Sequence, residues 1–157
     1  MDDVTIARAL HVLAVMHWIG GVAMVTLVIL PALSRVDPTV RSLDLFEAVE
    51  GTFGAQVRWS VTLAGLTGLW MTWRLDVWER FAEPGYWWMH AMVAVWVLFT
   101  VILFVAEPLF LHAWFRHRAV RDPDGTATLA LRAHRVLLAL AAVTLVGAVL
   151  GAHGMLY

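Results

Sequence analysis

"ALHVLAVMHWIGGVAMVTLVILPALS", from Ala9 to Ser34, contains no Asp, Glu, Lys or Arg. A helix rises about 1.5 Å per residue and the hydrocarbon core of a bilayer is about 30 Å thick, so this run is long enough to cross one. Two further runs are equally free of charge, Pro84–Ala106 and Val136–Tyr157. A fourth, Trp59–Trp73, is shorter. It reaches spanning length when its helix starts near Ala55 and Arg58 snorkels toward the interface. The expectation is an all-α integral membrane protein, a four-helix bundle forming one domain over residues 1–157. Its helices are expected at about 4–33, 55–74, 86–110 and 129–153.

Composition agrees. The chain is 61% hydrophobic with a mean hydropathy of +0.76, above the roughly half-apolar content of soluble domains. A net charge of −1 points to no nucleic acid and no strongly acidic partner. There is no Cys, which removes thiolate metal ligation, disulfides and covalent c-type haem attachment. The start, "MDDVTIARAL", is acidic and no small-residue cleavage site closes the first apolar run, so the first helix reads as retained.

The connections carry their own signals. Asp37 and Pro38 read as the N-cap and first position of a helix. In "RSLDLFEAVEGTF", Leu45, Phe46, Val49 and Phe53 recur at helical spacing, which predicts a short amphipathic interfacial helix. "RHRAVRDPDGTAT" reads as a turn-rich loop. Ala64 and Gly68 form a pair of small residues that lets a neighbouring helix approach closely.

All eleven basic residues are Arg. An even helix count puts both termini on one side, with Arg8, Arg74 and Arg80. The other side holds Arg35, Arg41, Arg58, Arg116, Arg118, Arg121, Arg132 and Arg135. By the positive-inside rule the Arg-rich side is cytoplasmic and the termini periplasmic, in a bacterial inner membrane.

Seven histidines remain to be explained. His11 lies about 5 Å inside Arg8, and His90 and His153 fall at a similar depth on the third and fourth helices. His17 is about 9 Å deeper. His134, His112 and His117 gather on the Arg-rich side. A helix side edged by His11 and His17, with Ala14 and Gly21 between, leaves room for a flat ligand. The stripe His90, Ala94, Val97 and Val101 suits the same use. Imidazole serves haem iron, copper and zinc alike. Two level histidines in an apolar, aromatic setting, with Trp18 and Trp88 near and Arg8 or Arg74 for propionates, fit bis-imidazole haem b. Met89 and Met92 beside His90 fit copper as well. Each also has a packing explanation: a lone intramembrane His is commonly a hydrogen-bonded structural residue, and most of the nine Trp read as interface anchors. Glu107 reads as the partner of an Arg on the cytoplasmic side.

"RALHVLAVMHWIGG" and "GYWWMHAM" resemble two segments of the HemJ/CopD-like membrane proteins. Arg8, His11, Trp18 and Gly21 match the pattern of that family's first helix, and Gly85, Trp88 and His90 that of its third. The resemblance implies a four-helix core binding haem b, with His11 and His90 as axial ligands. It departs at Met92, where the HemJ-type protoporphyrinogen oxidases carry Lys, which argues against that activity. The CopD-like branch implies copper handling. His17, His134 and His153 exceed the pattern and leave room for a second haem or metal, with His134 its candidate ligand.

Three functional expectations result. The first is a haem b redox protein, an oxidoreductase or electron carrier working with quinone or a redox partner protein. The second is a copper-binding or copper-transport protein. The third is a non-enzymatic assembly subunit or homo-oligomer, docking through Gly20, Gly21, Gly65, Gly68, Gly147 and Gly151.

Overall fold

The computed structural model describes residues 2–33 and 43–156. It is all-helical, with no strand among the described residues. Four long helices run in order: α1 (Asp2–Leu33), α2 (Leu43–Arg74), α3 (Pro84–Arg121) and α4 (Pro123–Ala152). Asp37 and Pro38, predicted to start a helix, lie outside the described residues.

Three of the four, α1, α3 and α4, are long and apolar enough to cross a membrane. Their outward faces are apolar too: Leu109 is 73% exposed and Val143 64%, and on α2 Trp59 is 78% exposed. So much exposed apolar surface is costly in water and matched to lipid, which marks the chain as a membrane protein. The fourth expected span, 55–74, is the C-terminal part of α2 and is more polar. Its polarity is largely spent within the helix. Ser60, Thr62, Thr67 and Thr72 each donate a hydroxyl to the carbonyl four residues earlier, at 3.3, 2.8, 2.6 and 2.9 Å. Such back-bonding satisfies the hydroxyl without water.

Two expectations are corrected. The interfacial helix predicted around Leu45–Phe53 is not separate, because Leu43–Arg74 is one continuous helix with no proline inside it. The "DPDG" loop is the start of α4. Asp122 leaves helical geometry and accepts the Gly125 amide at 2.9 Å, and Pro123 occupies the first turn, where a missing N–H costs nothing. Arg58 pairs with Glu107, with Nη2 3.2 Å from Oε2. That is the pairing expected for Glu107.

The helices end as their sequences dictate. After α2, Asp76 adopts a positive φ of 50°, and the amides of Asp76 and Val77 reach back to the carbonyls of Trp73 and Thr72. After α4, Gly154 (φ 73°) and Met155 do the same to Gly151 and Leu150. Both are Schellman closures, which supply donors to carbonyls the helix leaves open. Wide π turns interrupt α1 at Val25–Ile29, just ahead of Pro31, and α3 at Ile102–Leu111, around Pro108. Proline lacks an amide hydrogen and its ring crowds the carbonyl four residues back; widening the turn relieves the clash.

The core sits where α1, α2 and α3 meet. Val61 is fully buried, with Val57, Ala64 and Ala14 nearly so. Trp18 and Phe99, 4% and 5% exposed, cross edge to face at 4.8 Å between ring centroids. The Trp96 indole N–H donates to the Val61 carbonyl at 2.9 Å over Gly65, joining α3 to α2. On the far side, α3 packs on α4 through two tryptophans seated on glycines, Trp87 on Gly147 and Trp88 on Gly151.

Candidate functional site

Histidines 11 and 17 on α1 both turn to α2. Nδ1 of His11 lies 2.9 Å from the Ala64 carbonyl and 3.0 Å from Thr67 Oγ1. A carbonyl can only accept, so Nδ1 carries the proton, and in the neutral ring Nε2 keeps its lone pair. Gly68 completes the seat: a Cβ built there would stand 3.3 Å from His11 Cε1. The small pair Ala64 and Gly68 therefore admits an imidazole edge rather than a helix backbone alone. Nδ1 of His17 lies 2.7 Å from Ser60 Oγ. From His11 to His17 the numbering rises by six, while from Thr67 to Ser60 it falls by seven, as an antiparallel pair in fixed register requires. At the end of this pair Arg74 Nε donates to Asp3 Oδ2 at 2.8 Å.

Of the other candidates, His90 is exposed, its ring 5.3 Å from that of Phe81 in the connection before α3 and nearly perpendicular to it. His153 is exposed and its Nδ1 donates to the Val149 carbonyl at 2.8 Å. His134 is half-buried, its Nδ1 donating to the Ala130 carbonyl at 2.9 Å. His112 and His117 are exposed. Arg8 is exposed, whereas Arg74 is committed to Asp3.

His11 and His90 are held by different neighbours. His11 is held between α1 and α2. His90 lies on the stripe with Ala94, Val97 and Val101, all of which are exposed, so this stripe faces outward and not inward as expected. The room expected beside Gly21 is filled by the Phe53 ring. Trp18 packs in the core on Phe99 and Trp88 lies on Gly151. Their indole N–H groups are buried with no hydrogen-bond partner among the described residues. No cluster of three or more His, Cys, Asp or Glu forms among the described residues.

A shallow groove of about 440 Å³ opens on the outer side of the α1–α2 pair. Ile6, Leu10, Leu66 and Trp70 line it, with Asp3 at its edge and Thr67 in its wall. Thr67 thus borders the groove on one side and holds His11 on the other.

Thr67 and Ser60 are the site residues that sequence reading missed. A signal exists: two histidines six apart on one apolar helix are matched by two hydroxyls seven apart on another. It becomes legible only once α1 and α2 are known to be antiparallel neighbours. No protein-family model, curated protein or solved structure matches this chain.

Proposed function

We propose that this chain is an integral membrane protein that binds a b-type haem and does redox work, with His11 as an axial ligand. One observation carries the reading. The Nδ1–H of His11 is anchored to a backbone carbonyl, which leaves Nε2 as an oriented donor. That is the arrangement metal-ligating histidines use, because the anchored N–H fixes the tautomer and aims the free nitrogen. Iron held in this way would supply one-electron chemistry, and the histidine holding it, with its hydrogen bond, would tune the potential. The residues' own part is to hold the imidazole through Ala64, Thr67 and Gly68.

Support for the second ligand is weaker. His90 comes from the family resemblance, and its outward placement beside Phe81 does not favour a His11–His90 pair within one copy. A quinone or a redox partner protein would be the electron donor in this reading. The four-helix bundle, the bacterial inner membrane and periplasmic termini belong to this proposal as well, on the strength of the Arg asymmetry.

The test is an optical spectrum and pyridine-haemochrome measurement on protein purified after haem-replete expression. A Soret band lost in His11→Ala is the expected result, and His90→Ala decides the second ligand. A wild-type protein with no haem, or a His11→Ala variant with full haem content, overturns the reading. Stoichiometric copper without haem replaces it with the copper-binding alternative, which Met89 and Met92 around His90 would serve.

A further inference from the structure

Pro108 leaves a gap in the backbone of α3, and a side chain from α2 fills it. Within the π segment Ile102–Leu111, an amide donates to the carbonyl five residues back, as that of His112 does to Glu107 just beyond it. For position 108 that acceptor is Leu103, but proline has no hydrogen to give. Arg58 Nε donates to the Leu103 carbonyl at 3.1 Å. The same guanidinium places Nη2 3.2 Å from Glu107 Oε2. Leu103 and Glu107 are one turn apart, so one planar fork spans both acceptors, a geometry that suits Arg and not a point charge. The side chains of Arg58 and Glu107 are 36% and 24% exposed, and their neighbours in sequence, Val57, Trp59 and Ala106, are apolar. An arginine set there alone would be costly; opposite Glu107 it is neutralised, and its direction is set.

We propose that Arg58 is the register lock of α3. It gives Leu103 the hydrogen bond that Pro108 withholds, and Glu107 orients it to do so. The wide π turns change the azimuth of the rest of the helix, including His112, Arg116, His117 and Arg118. Docking of α2 through Arg58 therefore holds the widened turn that sets which face residues 112–121 present. This rests on the pairing and the ladder and is independent of any bound cofactor.

The experiment is a double-mutant cycle on the full chain in detergent or nanodiscs, using Arg58→Met and Pro108→Ala. The Pro108→Ala substitution restores an amide hydrogen to α3. Arg58→Met alone is expected to lower the thermal midpoint by roughly 4–8 °C. It should also speed amide exchange across residues 102–112 about tenfold. In the Pro108→Ala background both effects should fall to less than half. Equal effects in the two backgrounds would overturn the proposal, because Arg58 would then act through Glu107 alone. Glu107→Gln, which leaves the Leu103 bond in place, should cost less than Arg58→Met; an equal or larger cost also overturns it. If Arg58→Met does not fold, Arg58→Lys, which keeps the charge but not the fork, is carried through the same cycle.

Discussion

Gly68→Ala sets two effects of known size against each other beneath His11. Alanine in place of glycine inside a helix is worth about 0.8–1.0 kcal/mol. Against this, the new Cβ would lie 3.3 Å from Cε1 and 3.7 Å from Nδ1 of His11, so the ring must move by a few tenths of an ångström. That movement stretches the bonds from Nδ1 to Ala64 and Thr67, now 2.9 and 3.0 Å, each contributing about 0.5–1.5 kcal/mol. If one is lost, the two effects nearly cancel, and the thermal midpoint should stay within about 4 °C of wild type. Gly68→Val has no such escape. Its γ-methyls would occupy the space of the ring itself, at about 2–3 kcal/mol and roughly 5–10 °C. Thermal unfolding followed by tryptophan fluorescence gives the midpoints. Nitrogen-15 chemical shifts of the His11 ring give the tautomer, with Nδ1 protonated in wild type and perturbed in Gly68→Ala. A Gly68→Val protein as stable as wild type, or a His11 ring protonated at Nε2 in wild type, would refute the packing and hydrogen bonding described for this residue.

Three other outcomes are expected. Trp18→Ala should cost about 3–5 kcal/mol in chemical or thermal unfolding, because it empties the space against Phe99, whereas Trp59→Ala, at a side chain 78% exposed, should change little. Gly151→Val should lower stability by about 2–3 kcal/mol by driving into the Trp88 indole, and Trp88→Ala in the same chain should cost less than it does in wild type. Because the chain has no Cys, single cysteines report topology cleanly: an impermeant maleimide added to intact cells should label a cysteine at Gly154 and reach one at Arg118 only after the membrane is opened.

The helices themselves could be read in advance because hydrophobic length is a property of contiguous residues. Ala9–Ser34, Pro84–Ala106 and Val136–Tyr157 announce α1, α3 and α4, and nothing about their neighbours is needed to do so. Errors arose where one signal had two local meanings. "DPDG" is a turn in isolation, and an N-cap with a first-turn proline once Thr126 and the residues after it stay helical. The residues around Leu45–Phe53 read as a separate helix because their amphipathic spacing stands apart from a span that starts near Ala55, yet Gly51 and Gly54 do not interrupt the helix.

Depth along a helix was also legible, and it singled out His11. Direction was not. Whether an imidazole turns to a neighbouring helix or to lipid depends on which helices touch and in what register, and no short stretch of sequence contains that. His90, level with His11 by counting, faces outward; His11 meets Thr67, fifty-six positions away in the chain. The long apolar helices follow from contiguous residues alone, through the free energy of placing uncharged side chains in hydrocarbon. That Ala64, Thr67 and Gly68 hold one histidine, and that Arg58 closes the gap at Pro108, emerges only from how the helices pack. Those outcomes depend on hydrogen bonds between groups brought together by packing.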